Sequence, residues 1–492
     1  MQQEELIQLI HDVQFFKTER QTIELKSASG GFPKKIYDTL SAFSNQDSGG
    51  VMIFGVTDKP DFQVAGVYDA DDIQKKVMEH CQQMEPPVRA VMTVCEVGGK
   101  IVVAAEIPGM ERSRRPVYYA GVGITKGSFI RVGDGDRQMT PYEIYSYEAF
   151  RRQIRDDLRT VKPMNIRLFD QERLEQYLLA VKNDRKNLSQ NVSNEDILEL
   201  MGVMYEGRPT LAGIMCFSRY PQAYFPQLSI TAVVVPGTEM GTTGTDGERF
   251  IDNKRITGPI PEMLEEAVDF VRRNSRTKTI IDDDGQRHDK TEYPMKAIRE
   301  AILNALVHRD YSVYTEGTPV SVEMYRDRIE IKNSGGLYGY TTLEELGKSR
   351  PETRNPVLAN ILEMLKITEN RYSGIPTMLT EMKRSRLPAP EFQQRRGEFQ
   401  VTFRNNIYQA EGQGRRQRDM ESEKGRKGDF LREALVEFCE IPRTRAELIA
   451  FAGMSRFHLM SKYIQPLVEE EILAYTIPEK PKSSKQKFVT VK

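Results

Sequence analysis

The chain has 492 residues, and its 70 Lys and Arg against 71 Asp and Glu leave a formal charge of -1. A near-neutral balance neither demands nor excludes a nucleic-acid partner, so any basic surface has to be local. A hydrophobic content of 39%, with no run approaching about 18 apolar residues, excludes an integral membrane protein and argues against wholesale disorder; the length predicts three or four domains at roughly 100–200 residues each.

The opening MQQEELIQLI is acidic and amphipathic and lacks the basic and apolar regions of a secretory signal. Cys81, Cys95, Cys216 and Cys439 lie far apart with no CxxC pair, so neither a disulfide framework nor a structural zinc site is readable. A cytoplasmic protein with reduced thiols is the expectation. In chain order, residues 1–150 predict an α/β domain. Leu6, Ile10 and Val13 mark a first helix, TIELK (22–26) a strand, and residues 33–43 a second helix. SGGVMIFGV (48–56) and GGKIVVAAEIP (98–108) are buried strands entered through glycine pairs. Residues 111–137 then carry six basic residues against three acidic ones, with Tyr118, Tyr119 and Phe129 interleaved.

Glu19, Glu24, Lys26 and Asp58 are the charges that stand out. A charge at an alternating strand position, such as Glu24 between Ile23 and Leu25, ordinarily marks a solvent face. The surrounding pattern adds a second reading. TERQTIELK followed by SAFSNQDSGGVMIFGVTDK resembles the AlbA-type Schlafen domain at Glu19, Glu24, Lys26, Ala42, Phe43, Asn45, Gly49, Gly50, Gly55, Val56 and Asp58. Arg20 and Leu25 depart from the family's Ser and Phe, and the resemblance spans about residues 15–145. It implies one of two activities. Some eukaryotic members cleave tRNA and rRNA with three carboxylates at the positions of Glu19, Glu24 and Asp58; other bearers of the domain bind DNA as regulators. Clustered carboxylates can hold Mg²⁺ or Mn²⁺, which activates water and stabilises phosphorane charge. Lys26, Arg112, Arg114, Arg115, Lys126 and Arg131 are the candidates for gripping phosphates. Gly49 and Gly50 are read as a tight turn rather than a phosphate cradle.

Residues 151–290 predict a charged helix at RRQIRDDLRT, a helix over 192–206, strands at 211–218 and 227–237, and an amphipathic helix at 261–274. A long helix follows over 292–312, then two strands over 319–336 joined by an Arg-Asp turn and ending at a glycine pair. Within the long helix, Glu300 and Asn304 are four apart and share one face, while their neighbours are apolar. A buried Glu-Asn pair needs partners: a metal-phosphate ligand, or local backbone and Arg309. REAILNALVHRDYS and DRIEIKNSGGL together resemble the GHKL ATP-binding fold of gyrase B, MutL and histidine kinases over about 195–405, and more closely its divergent bacterial branch fused to Schlafen-type domains. The resemblance implies that Glu300 activates water and that Asn304 holds the Mg²⁺ of ATP. The family's Asp-x-Gly-x-Gly reads here as Asn333, Ser334, Gly335 and Gly336, and the glycine-rich lid is reduced to Gly374, which predicts ATP binding with little turnover. His308 is read as structural, and the absence of a GxxxxGK[ST] loop rules out a P-loop motor.

Residues 409–429 predict a polar linker. In residues 430–492, Thr444 with Glu447 forms a capping box, Gly453 ends the first helix, and Ser455 opens a second. EILAYTIPEKPKSSKQKFVTVK follows as strand, loop and strand. The module resembles the winged helices of bacterial regulators. Arg456 and Lys462 would face a major groove, and Lys482 and Lys485 lie in a basic wing, although winged helices also pair proteins.

The expectation is thus an α/β (α+β) multidomain protein: a Schlafen AlbA-type domain over 1–150, a GHKL-like sandwich with its connector over 151–408, the linker, and a winged helix-turn-helix. The leading function is a nucleic-acid-binding regulator whose state is set by nucleotide, with DNA or RNA as partner, no membrane, and a homo-oligomer left open. The alternatives are a metal-dependent endoribonuclease of stress or phage defence, and an assembly scaffold with a degenerate nucleotide site.

Overall fold

The computed structural model describes residues 1–58, 62–161, 166–188, 192–281, 287–348, 352–368, 373–395, 397–405, 432, 435–436, 438–452, 459–479 and 486–491. The chain divides into two compact units, Met1–Asn405 and Asn406–Lys492.

The first unit begins with a four-stranded sheet in the order Ile23–Lys26, Gly50–Phe54, Lys100–Ile107, Val91–Val97. The first pair is parallel, with Glu24 opposite Met52, and the others are antiparallel. Its inner strands are apolar on both faces because both faces are covered. Ile23, Leu25, Ile53, Val102 and Ala104 pack with Leu6, Ile10 and Val13 of the Gln3–Phe16 helix. Met52, Phe54, Val103 and Ala105 pack with Leu40 and Phe43 of the Tyr37–Ser44 helix and with Ile73 and Val77 of the Ala70–Gln82 helix. Packing accounts for the glycine pair: Gly49 has φ +63°, and a Cβ on Gly50 would sit 2.6 Å from the Phe43 ring. A Phe129–Val132/Gly135–Gln138 hairpin follows, then the Pro141–Arg151 helix, started by a Thr140–Glu143 capping box.

The same unit holds a six-stranded sheet in the order Asp252–Ile256, Ile230–Val234, Val320–Met324, Arg328–Ser334, Glu398–Arg404, Glu391–Arg395. Ile230–Val234 and Val320–Met324 run parallel and the remaining neighbours antiparallel. The Ile260–Asn274 and Met295–His308 helices share its core: Met263, Leu264 and Val268 of the first and Ile298, Ile302 and Leu306 of the second lie with Val322, Ile331 and Phe403.

Three expected elements differ. LAGIMCFS is not a strand: Leu211–Phe217 is a helix, capped by Thr210, whose Oγ1 accepts the Gly213 N–H at 3.0 Å. All seven residues are buried, so the run carries no periodicity to separate helix from strand. RRQIRDDLRT is not a helix, because the Pro141–Arg151 helix has already ended and only the single turn Asp156–Leu158 remains. The helix expected over 192–206 stops at Leu200, before Gly202 at φ +71° and the short strand Met204–Tyr205.

In the second unit, Thr444 and Glu447 form the expected capping box, with Thr444 N–H donating to Glu447 Oε2 at 2.7 Å and Glu447 N–H donating to Thr444 Oγ1 at 3.3 Å. The Arg445–Ala452 and Gln465–Glu469 helices accompany a three-stranded sheet in the order Arg443–Thr444, Lys487–Thr490, Leu473–Tyr475. Leu448, Ile464, Leu467 and Phe488 form its core. The polar linker, Arg456, Lys482 and Lys485, and the Lys462 side chain lie outside the described residues. Among the described residues no helix is long and apolar enough to cross a membrane. All four cysteines are free and buried.

Candidate functional sites

The Ile23–Lys26 strand alternates, so Ile23 and Leu25 enter the core while Glu24 and Lys26 share the opposite face. That face is covered rather than open to solvent. Glu24 takes Lys26 Nζ at 2.6 Å and Arg131 Nη1 at 2.9 Å. Arg131 also holds Asp136 at 2.8 Å, donates to the Ile23 carbonyl at 3.0 Å and lies over the Phe43 ring. Glu19 accepts the Leu25 N–H at 3.3 Å, and its acidity is weakened, first by burial, then by the nearby charge of Glu24 and, more weakly, of Asp58. The three carboxylates are therefore electrostatic neighbours. Among the described residues no group of three or more His, Cys, Asp or Glu side chains is placed to hold a metal ion. At Glu24 the carboxylate charge is matched by Lys26 and Arg131.

Arg131 and Arg115 are buried. Arg115 holds Asp47 at 2.8 Å and donates to the Met110 carbonyl at 2.7 Å; against the raising effect of burial, the hydrogen bonds from Arg112 and then Arg115 hold the Asp47 carboxyl below the usual range. Arg112, half-buried, also pairs with Asp47 at 3.2 Å and donates to the carbonyls of Gly339 at 3.0 Å and Thr341 at 3.3 Å. None of these three faces solvent as a free phosphate grip. Arg114 and Lys126 are exposed.

The second constellation comes together in one cavity of about 310 Å³, lined by Glu300, Asn304, Asn333, Gly335 and Gly336 among others. Glu300 and Asn304 stand one turn apart on the Met295–His308 helix. The N-terminus of the Gly374–Arg384 helix closes over them: a Cβ at Gly374 would lie 3.0 Å from both Glu300 Oε2 and Asn304 Nδ2. Glycine there lets the helix end approach both polar groups, and a carboxylate beside an amide oxygen is a donor set that fits a magnesium-nucleotide ligand. The glycines of the opposite wall have a structural cause. Gly335, at φ +95°, would put a Cβ 2.9 Å from Asp310, and the place of a Cβ on Gly336 is taken by the Gln394 side chain. Arg309 does not partner Glu300; it is buried and donates to the carbonyls of Thr315 at 3.1 Å and Thr318 at 2.9 Å. His308 lies on the cavity wall.

Sequence reasoning missed Asp310 and Arg354. Arg354 lines the cavity, pairs with buried Asp310 at 2.6 Å, and donates to the Gly336 carbonyl at 3.2 Å. The two are 44 residues apart, with no motif to join them. Asp157 is a third omission: buried, it caps the Pro356–Met364 helix by accepting the N–H groups of Val357 at 2.9 Å and Leu358 at 3.1 Å.

Two family models match. "Schlafen, AlbA_2" covers residues 19–140, which includes Glu19, Glu24, Asp58 and the basic segment through Arg131. HATPase_c_4, described as "Putative ATP-dependent DNA helicase recG C-terminal", covers residues 317–403, which includes Asn333, Gly335 and Gly336 but begins after Glu300 and Asn304. No curated protein matches the chain. Among solved structures, the chain is 18% identical to the DIP2311 protein from Corynebacterium diphtheriae, covering 82% of this chain and 81% of that one with a TM-score of 0.37. It is 25% identical to the N-terminal domain of a RecG-related protein from Nitrosomonas europaea, covering 27% of this chain and 92% of that one with a TM-score of 0.23. Likenesses this loose decide nothing about the chain. The family matches place a Schlafen AlbA_2 domain over residues 19–140 and a GHKL-like domain of the HATPase_c_4 type over residues 317–403 of the same chain.

Proposed function

We propose that the protein is a nucleic-acid-binding regulator whose state responds to an adenine nucleotide. The observation that carries this reading is the single cavity shared by Glu300, Asn304, Asn333, Gly335 and Gly336 in a chain that also holds an AlbA_2 domain. Asn304 and phosphate oxygens would hold Mg²⁺, which seldom uses an all-protein cage. Bound there, the ion would neutralise phosphate charge beside Glu300. Asn333 would accept from the adenine amino group through its amide oxygen. Arg114 and Lys126 would contact nucleic-acid phosphates, joined by the winged-helix reading of residues 430–492. A ligand that binds only the folded chain, at about 100 times its dissociation constant, stabilises it by ~2.7 kcal/mol. ATP with Mg²⁺ should therefore raise the melting temperature, and Asn304→Ala should abolish the rise. No shift with ATP or ADP at saturating concentration would sink the nucleotide reading and favour an assembly scaffold.

A second reading, a metal-dependent endoribonuclease, has one observation in its favour: Glu19 is raised by burial and by the charges of Glu24 and Asp58, a repulsion that a bound cation would relieve. The pairing of Glu24 with Lys26 and Arg131 weighs against it. Incubation with tRNA and Mn²⁺ separates the two: cleavage that disappears in Glu19→Gln would make the nuclease reading primary.

A further inference from the structure

The segment 336–341 forms part of the cavity wall through Gly336, Leu337, Tyr338 and Thr341. It lies beyond the end of the Arg328–Ser334 strand and outside regular secondary structure. Three independent contacts reach it from the Schlafen-type domain and from the helix that follows that domain. The Arg112 guanidinium spans the Gly339 and Thr341 carbonyls at 3.0 and 3.3 Å while gripping Asp47 at 3.2 Å. The Phe150 ring meets Tyr338 and Tyr340 edge to face, with centroids 5.3 and 5.4 Å away. Tyr142 donates to Asp310 at 3.0 Å; Asp310 holds Arg354 at 2.6 Å, and Arg354 in turn reaches the Gly336 carbonyl and lies over the Tyr338 ring. Residues 227 and 229 positions apart in sequence are thus joined at a single guanidinium.

We propose that segment 336–341 is the element through which occupancy of the cavity acts on the Schlafen-type domain, with Arg112 as its latch. The proposal rests on the reading of the cavity as a nucleotide site and specifies how that site regulates. A ligand acts on a distant site only through contacts that differ between two arrangements. Here the cavity and Arg112 border the same short segment, the cavity through Gly336, Leu337, Tyr338 and Thr341 and Arg112 through the Gly339 and Thr341 carbonyls. Any movement of the Gly339 and Thr341 carbonyls changes what Arg112 can hold, and so the position of Asp47 and Arg115, which share an ion pair with each other beside the exposed Arg114. By linkage the effect is reciprocal, so nucleic acid on the Schlafen-type domain would alter nucleotide affinity by the same factor. Arg112 is a positioning residue in this scheme. Its planar fork can bridge two carbonyls and a carboxylate at once, which a lysine ammonium cannot do in the same geometry.

Hydrogen exchange on the full chain tests this without a nucleic-acid probe. Saturating ATP or ADP with Mg²⁺ should change exchange in the wild type both at 336–341 and at 110–119. In Arg112→Ala the change at 336–341 should persist and that at 110–119 should disappear. Arg112→Lys should behave like Arg112→Ala, which separates a bridging geometry from a charge, and Tyr142→Phe should reduce the response while leaving the latch in place. In anisotropy with fluorescein-labelled single-stranded DNA, nucleotide should change affinity by about 5-fold or more in the wild type and by close to 1-fold in Arg112→Ala. A response at 110–119 of equal size in Arg112→Ala would overturn the proposal. So would a wild-type response confined to 336–341, with the thermal shift intact; that result leaves the nucleotide site standing. Absence of both thermal shift and exchange response removes the nucleotide site and the proposal together.

Discussion

The basic segment of the Schlafen-type domain and the cavity of the GHKL-like domain were equally conspicuous as sequence, and the fold treats them in opposite ways. In the cavity, Glu300, Asn304, Asn333, Gly335 and Gly336 line one space. In the basic segment, Arg112, Arg115 and Arg131 are turned inward onto Asp47, Glu24 and Asp136, and only Arg114 and Lys126 are offered to solvent among the six phosphate candidates of that domain. The difference lies in what sets each side chain's direction. A helix fixes which residues share a face within one turn, whatever surrounds it. In the basic segment, where Arg131 lies on a four-residue strand and Arg112 in a single helical turn, each arginine ends on whichever carboxylate or carbonyl the rest of the fold brings near.

The largest expected effect tests the inward charges. Arg131→Ala leaves Glu24 and Asp136 without a shared cation in a site where the Arg131 side chain is 1% exposed. Removing one partner of a buried ion pair costs about 3–5 kcal/mol, and the residual pairing of Glu24 with Lys26 places this variant at the lower end. Urea denaturation of the full chain should show the loss. Unchanged stability with weakened nucleic-acid binding would instead make Arg131 a phosphate contact and erase the contrast between the two regions.

The cavity side has its own buried charge in Asp157, which caps the Pro356–Met364 helix, whose Pro356 and Ala359 line the cavity. Burial pushes its carboxyl from the usual 3.8 up to about 6, against the lowering effect of the two N–H groups it accepts. A carboxyl raised in the folded state contributes stability that is fully present below the unfolded value and lost as pH rises through the folded one. The window is thus about pH 4 to 6, and a two-unit difference corresponds to on the order of 3 kcal/mol. Asp157→Asn keeps an acceptor for the helix but cannot ionise. Relative to this variant, the wild type should lose stability between pH 4 and 6, as read by denaturant titration at each pH. A wild-type-minus-variant difference that does not change with pH would show that Asp157 ionises normally.

Legibility in the sequence follows the same division. The strand pattern of VMIF and IVVAA, the Thr444–Glu447 capping box and the Arg-Asp turn before Arg328 depend on neighbours within a few residues, and each is present. Leu211–Phe217 was unreadable because burial on every side removes the periodicity that separates helix from strand. Asp310 and Arg354 were unreadable because their pairing is made by tertiary approach across 44 residues. At Glu24 the place on the strand is legible in the sequence, but nothing in the sequence marks Lys26 and Arg131, which read as phosphate grips, as counter-charges to the carboxylate.

The smallest effect on stability, and the sharpest test of the contrast, comes from the two exposed cations. Arg114→Glu and Lys126→Glu should each change folding stability by no more than about 0.5 kcal/mol, the ordinary range for surface sites. If each contacts one phosphate, neutralising it removes one released counterion, and the slope of log affinity against log salt should fall by about 0.9 per site on duplex DNA and about 0.7 on a single strand. Charge reversal also repels the backbone, so affinity should drop uniformly across sequences rather than at one base. Arg115→Ala provides the internal control, because its buried side chain holds Asp47 and the Met110 carbonyl: it should lower stability and leave the salt slope of the folded fraction unchanged. The reverse outcome, a reduced slope in Arg115→Ala and none in Arg114→Glu or Lys126→Glu, would mean that the inward arrangement opens when nucleic acid binds, and that the cations buried by this fold are the ones that do the gripping.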